Sequence, residues 1–146
     1  MTTRETTARV DTAEAVVGIA AAKLVAAFGR HATDEYFACF LPDATFVFYN
    51  HPVRLASRQE YEALWGSWER EEGFRVRACE STGQRIRVFG DTAVFEHDVQ
   101  TTARTGLSPE TEVDTVSYER ETIIFVQRDG SWFAAHEHLS TRPEPS

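Results

Sequence analysis

The run Tyr118–Ser140, YERETIIFVQRDGSWFAAHEHLS, constrains the fold more than any other stretch. Two strand-like segments flank Arg128-Asp129-Gly130, and an Asp-Gly step between apolar segments is a strong hairpin signal. Side chains on a strand point alternately to its two faces. Trp132, Ala134, His136 and His138 therefore share one face, and Phe133, Ala135, Glu137 and Leu139 the other. A three-residue loop with Gly130 in the left-handed region sets Gln127 opposite Ser131, Phe125 opposite Phe133, Ile123 opposite Ala135 and Glu121 opposite Glu137. A two-residue Asp-Gly turn would mix these sets. The first register is preferred here, because it pairs bulky apolar residues near the turn.

Upstream, Asp11 or Thr12 is expected to cap a helix reaching about Gly29, with Val16, Ala20, Lys23 or Leu24, Ala27 and Phe28 as its stripe. Thr33 is expected to cap a short second helix that Pro42 stops. Residues 45–50 (TFVFYN) read as a strand, and 53–56 as a short partner. Ser57-x-x-Glu60 is a capping box that opens a third helix. Its Tyr61, Leu64, Trp65 and Trp68 form one aromatic face, and Gly73 closes it. From Phe74 the period changes to two. Strands are expected at about 74–89, 92–105, 116–127 and 131–140, with Gly90-Asp91 as a tight turn pairing Phe89 with Thr92. Residues 106–115 form a polar loop with the length of a flap. Helices followed by a run of strands read as α+β. The expected architecture is a cone-shaped, curved antiparallel sheet packed against three N-terminal helices, with an internal pocket.

Composition bounds the function. A chain of 146 residues fits one domain, 1–146, with frayed tails at about 1–10 and 141–146. A net charge of -8 disfavours nucleic acid and anionic lipid as partners, so neither is expected. Cys39 and Cys79 lie in no metal-like spacing and read as free thiols in a cytoplasmic protein. The N-terminus lacks a secretory pattern, and the apolar run Ala15–Phe28, broken by Gly18 and Lys23, reads as too short to span a bilayer. No phosphate-cradling glycine loop or serine elbow occurs.

The element order, together with PDATFVFYNHP after the second helix and the closing DGSWFAAHEHLS, resembles the nuclear transport factor 2-like superfamily. Within it the chain is similar to SnoaL-like and kinase-association-domain-like small proteins, over roughly Asp11 to Ser140. The resemblance implies the cone fold and a homodimer through the outer sheet face. It does not fix a reaction, because one fold hosts many chemistries. In the hub domains of this superfamily, polar cavity positions correspond to Gln100, Ile123 and Leu139 here. That correspondence implies that Glu96, Asp98, Glu121 and Glu137 face the pocket, and that His97, His136 and His138 face outward. The hub arginines are absent from those three positions, so no anion site of that kind is expected. Ketosteroid isomerases place a general-base Asp before a Pro, where this chain has Phe48-Tyr49-Asn50-His51-Pro52. Their arrangement is therefore not expected, and His51 stands as a base in its place.

The expected site combines acid/base groups with an aromatic wall. Asp98, Glu137 and His51 are the catalytic candidates, since a carboxylate desolvated beneath aromatic rings becomes a usable acid or base near neutral pH. Phe48, Tyr49, Tyr61, Trp65, Trp68, Glu96, Gln100, Glu121 and Ile123 are the ligand-binding candidates. His136-x-His138 invites a metal, but an intervening strand would hold His97 about 9–10 Å away. No metal and no cofactor are expected. The sequence thus reads as a pocket protein for a small apolar molecule, with cofactor-free isomerase, cyclase or dehydratase chemistry on a polyketide-like carbonyl compound. The competing reading is a non-catalytic ligand-binding or dimeric assembly module.

Overall fold

The computed structural model describes residues 2–145, with side chains from Thr12 onward. Its elements are α1 (Thr2–Gly29), α2 (Thr33–Ala38), β1 (Phe40–Phe48), α3 (Arg58–Glu72), β2 (Arg75–Phe89), β3 (Thr92–Thr105), β4 (Val113–Arg128) and β5 (Ser131–Thr141). The five strands form one curved, unclosed sheet in the order β1-β5-β4-β3-β2. β2 to β5 make an antiparallel meander, and β1 joins the edge parallel to β5.

The helices differ in detail from what their caps suggested. α1 begins at Thr2, so Asp11 and Thr12 lie inside it. Its buried stripe is Val17, Ala21, Leu24 and Ala27, one residue on from the expected start, and Val16 is exposed. The segment Thr12–Gly29 has a mean hydropathy of 1.5 and is long and apolar enough to cross a membrane by composition, contrary to the sequence reading. In this fold the stripe packs onto the sheet. Thr33 does not cap α2, whose N-cap is Ala32. Its hydroxyl instead accepts a hydrogen bond from Trp65 Nε1 at 3.2 Å, tying α2 to α3. The capping box of α3 forms: Glu60 N–H donates to Ser57 Oγ at 3.1 Å, and Ala56 N–H donates to Glu60 Oε2 at 2.9 Å. Tyr61 and Trp65 are buried, and Tyr36 from α2 meets Tyr61 edge-on at 6.0 Å between ring centroids.

Gly73 ends α3 with φ 65. A Cβ there would run into the Gly106 carbonyl, and Gly106 N–H donates to Glu72 O at 2.7 Å. The β3–β4 loop expected as a flap is therefore fastened to the end of α3.

The β4–β5 turn corrects the expected register. Asp129 (φ 53) and Gly130 (φ 81) are both left-handed, the conformation of a two-residue hairpin turn. Arg128 faces Ser131, Gln127 faces Trp132 and Phe125 faces Ala134. The ladder then slips, so that Ile124 faces His136 and Ile123 faces Glu137. Ala135 is the extra residue of a β-bulge. The bulge resets parity: Ala134 and Glu137, three apart, both point under the helices and are buried.

Candidate functional site

The inner face of the sheet and the helices enclose a cavity of about 150 Å³. Leu24 and Phe28 of α1, Phe48 of β1, and Trp65 and Trp68 of α3 supply its apolar wall. The polar floor is a row of neighbouring strands: His97 on β3, Glu119 and Glu121 on β4, and Glu137 on β5. All four share the inner face with Phe95, Val99, Ile123 and Phe125, whose burial fixes which way the strands turn.

His97 Nε2 lies 2.7 Å from Glu121 Oε1, and its Nδ1 lies 2.6 Å from Ser81 Oγ. Glu121 is hydrogen-bonded in turn to Glu137. Tyr36 OH donates to Glu137 Oε2 at 3.4 Å and lies 3.0 Å from Tyr61 OH. Beside this row, Tyr49 OH donates to Glu119 Oε2 at 2.6 Å, and Thr101 Oγ1 donates to Glu119 Oε1 at 3.4 Å.

Burial holds Glu137 well above the usual carboxylate range, and the neighbouring Glu121 charge adds to the effect. Burial would push Glu121 up as well, but hydrogen bonds from Glu137 and His97, joined by the His97 charge whenever that ring is protonated, outweigh it and hold Glu121 below its ordinary value. The opposite shifts favour seating a proton shared by the pair on Glu137 over Glu121. Glu119 is raised by burial and by the nearby Glu121, against the hydrogen bonds from Tyr49 and Thr101 that pull it down. Burial, with Glu121 next, pushes the Cys79 thiol in the cavity wall up to about 12, so it remains a neutral thiol.

Phe48, Tyr49, Tyr61, Trp65, Trp68, Glu121 and Glu137 line the cavity. Ile123 is buried opposite Glu137 but lies behind the lining. β3 is turned over relative to the expectation. Glu96, Asp98 and Gln100 share the outer parity, and Glu96 and Asp98 border an outer groove with Arg120 and His138. The physical reason is the apolar set Ala93, Phe95 and Val99: burying it sends the intervening residues outward. That same parity brings His97 inside, where the resemblance had placed it outside. His136 and His138 do lie on the outer face, with His136 Nδ1 2.7 Å from Thr45 Oγ1. His51 sits in the turn after β1, its N–H donating to Phe48 O at 3.2 Å, outside the cavity lining. Among the described residues no group of three or more His, Cys, Asp or Glu side chains is arranged to hold a metal ion.

Sequence reasoning missed His97, Glu119, Tyr36 and Thr101. The signal for His97 and Thr101 was their shared parity with Phe95 and Val99, and for Glu119 its parity with Ile123 and Phe125.

Solved structures share this architecture at low sequence identity. An NTF2-like protein of unknown function from Pseudomonas putida superposes with a TM-score of 0.71 at 15% identity, covering 92% of this chain and 89% of that one. A ketosteroid isomerase-like protein from Erwinia carotovora atroseptica gives 0.72 at 21% identity, covering 90% and 97%. A proposed dehydratase of the NTF2-like family from Streptomyces avermitilis gives 0.70 at 18% identity, covering 92% and 99%. These are likenesses of fold. No curated protein matches the chain. Residues 17–143 match the family model of the SnoaL-like domain. With the cone fold and its inward-facing cavity, that match places the chain in the SnoaL-like family of the NTF2-like superfamily.

Proposed function

We propose that the cavity binds a small, largely apolar carbonyl or hydroxyl compound and moves a proton on it without a cofactor. The observation that carries this reading is the carboxyl pair. Glu137, with its proton affinity raised, and Glu121, with its lowered, sit side by side in an aromatic cavity, the arrangement that keeps a carboxylic acid available as a proton donor. Glu137 is the acid, giving a hydrogen bond or its proton to the substrate oxygen. Tyr36, with Tyr61 behind it, orients that carboxyl. Glu119 lies two residues along the same face from Glu121, about 7 Å at strand spacing. Its raised affinity for protons suits it to accept one from the substrate. Isomerisation and dehydration both need such a pair, and the Erwinia and Streptomyces neighbours are described as ketosteroid isomerase-like and as a proposed dehydratase.

Cavity size narrows the substrate. An enclosed apolar volume of about 150 Å³ is known to take up benzene. The cavity here matches that volume, so it seats about one ring, and a larger polyketide-like compound would insert one ring and leave the rest at the mouth.

The test is deuterium exchange at the α-carbon of small cyclic ketones in D2O, followed by NMR, with shift mapping of the cavity residues. Exchange above the buffer rate is expected, falling about 10²–10⁴-fold in Glu137→Gln while probe binding persists. Exchange at the buffer rate for every probe, with no shifts at cavity residues, would sink the reading and leave the assembly module in its place.

A further inference from the structure

β2 carries an irregularity beside the site. Its pairing with β3 breaks between Thr82 and Arg85, and Gly83 takes φ 61 there. The break turns Gln84 back along the strand, so that its Nε2 donates to Ser81 Oγ at 2.8 Å. Ser81 Oγ in turn lies 2.6 Å from His97 Nδ1. A row of side chains therefore runs from the edge strand to the carboxyl pair: Gln84, Ser81, His97, Glu121, Glu137.

We propose that Gln84 and Ser81 are positioning residues that hold His97 in its Nε2–H tautomer and so keep the shared proton of the site on Glu137 rather than Glu121. The inference deepens the proton-transfer reading and rests on it. A neutral imidazole has one donor and one acceptor nitrogen. The Gln84 amide nitrogen donates to one lone pair of Ser81 Oγ, and a hydroxyl that accepts a hydrogen bond is polarised into a better donor, which favours its hydrogen pointing at Nδ1. Nδ1 then accepts, and Nε2 presents its hydrogen to Glu121 Oε1. In the other tautomer the Nε2 lone pair would face Oε1 at 2.7 Å. That contact is repulsive unless Glu121 takes the proton, which would remove the charge that adds to burial in holding the proton on Glu137. The bulge on β2 thus biases, from two strands away, which carboxyl is the acid.

Nitrogen NMR of the ligand-free protein at neutral pH tests this directly, with His31 as internal reference. His31 Nδ1 accepts from Val76 N–H at 3.0 Å, a group that can only donate, so its hydrogen sits on Nε2. His97 is expected to show the same tautomer as His31. Ser81→Ala is expected to cut the excess of that tautomer about tenfold, the worth of one hydrogen bond, and Ser81→Thr to restore it. Gln84→Ala, at an exposed site, should move it the same way by less, and it supplies the test if Ser81→Ala fails to fold. The carbon-13 titration of the Glu137 carboxyl should move down alongside. An Nδ1–H or doubly protonated His97 in the unaltered protein overturns the proposal, as does a tautomer ratio unmoved by these variants. No ligand is involved, so this failure is distinct from an absence of ketone exchange.

Discussion

Two histidine–glutamate pairs in this molecule share a geometry and differ in their surroundings. His31 Nε2 lies 2.8 Å from Glu69 Oε2, and His97 Nε2 lies 2.7 Å from Glu121 Oε1. Each Nδ1 is also engaged, by the Val76 backbone in one case and by Ser81 Oγ in the other. His31 stacks on Trp65 at 4.7 Å and fastens the end of α1 to α3 and β2. The Glu69 side chain is 39% exposed, whereas that of Glu121 is 11% exposed and meets a second carboxyl. Water compensates whatever His31 does not supply to Glu69. Far less water reaches Glu121, which depends mainly on protein partners. One motif is therefore a structural clamp at the rim, and inside an apolar cavity it becomes a device for placing a proton.

The comparison breaks most visibly when the imidazole is removed. His97→Leu strips Glu121 of its donor in a buried setting and is expected to cost about 2–4 kcal/mol in urea unfolding. His31→Leu orphans the Val76 N–H but leaves Glu69 to water, for an expected cost of about 1–2 kcal/mol. Equal losses at the two sites would show that the enclosure of Glu121 is not what distinguishes them.

Replacing the acid sharpens the same contrast through pH. Glu137 binds its proton more tightly folded than unfolded, so its contribution to stability is fully present below the unfolded carboxyl value of about 4.3 and is lost as pH rises through the folded value. Glu121 is shifted down, so its contribution is present above that unfolded value and is lost on acidification through its folded value. Glu137→Gln keeps the shape and fixes the neutral form. Its stability relative to the unaltered protein should therefore grow as pH rises above about 4.3, leaving in the variant the shallower slopes that Glu119 and His136 contribute. Parallel stability curves from pH 4 to 9 for the two proteins would contradict the single-proton description.

How far this site could be read from the sequence depends on which signal each residue gave. The helices declared themselves locally: Ser57 and Glu60 form their box, and Tyr61, Trp65 and Trp68 point at one cavity. The Gly90-Asp91 turn pairs Phe89 with Thr92 as its chemistry demands. Glu137 was placed inward by the wrong register, and it lies inward because the Ala135 bulge shifts the ladder where the turn alone would not. A bulge is a tertiary accommodation to sheet curvature and has no signature in the residues Ala134-Ala135. β3 was a different case. Phe95 and Val99 signalled the inner face plainly, and superfamily correspondence at Gln100 pointed the other way. The burial of apolar area decided it, and with it the choice of His97 over Asp98. The flap was misjudged because the Gly73–Gly106 contact joins residues remote in sequence.

Removing charge rather than shape separates the pairs more gently. Glu69→Gln keeps a hydrogen bond to His31 at a solvated position, and its effect on stability should stay within about 0.5 kcal/mol. Glu121→Gln removes the negative neighbour that helps hold Glu137 neutral, so the Glu137 titration should move down by carbon-13 NMR. A Glu137 titration unchanged in Glu121→Gln would mean that burial alone sets it.

The smallest expected effect comes from the residue adjacent to His97. Asp98 sits on the outer face of β3 opposite Arg120 of β4, in a groove shared with Glu96 and His138. The sheet backbone separates it from Glu121, although it is the immediate neighbour of His97 in sequence. Charges on the wet face are screened by solvent and act weakly across the sheet. Asp98→Asn should therefore change stability by no more than about 0.5 kcal/mol and leave the His97 tautomer and the Glu137 titration where they were. Should Asp98→Asn shift the Glu137 titration, the two faces would be electrostatically coupled. Arg120 and Glu96 would then belong to the description of the acid, and the enclosure of Glu121 would no longer suffice to explain why its pair behaves unlike that of Glu69.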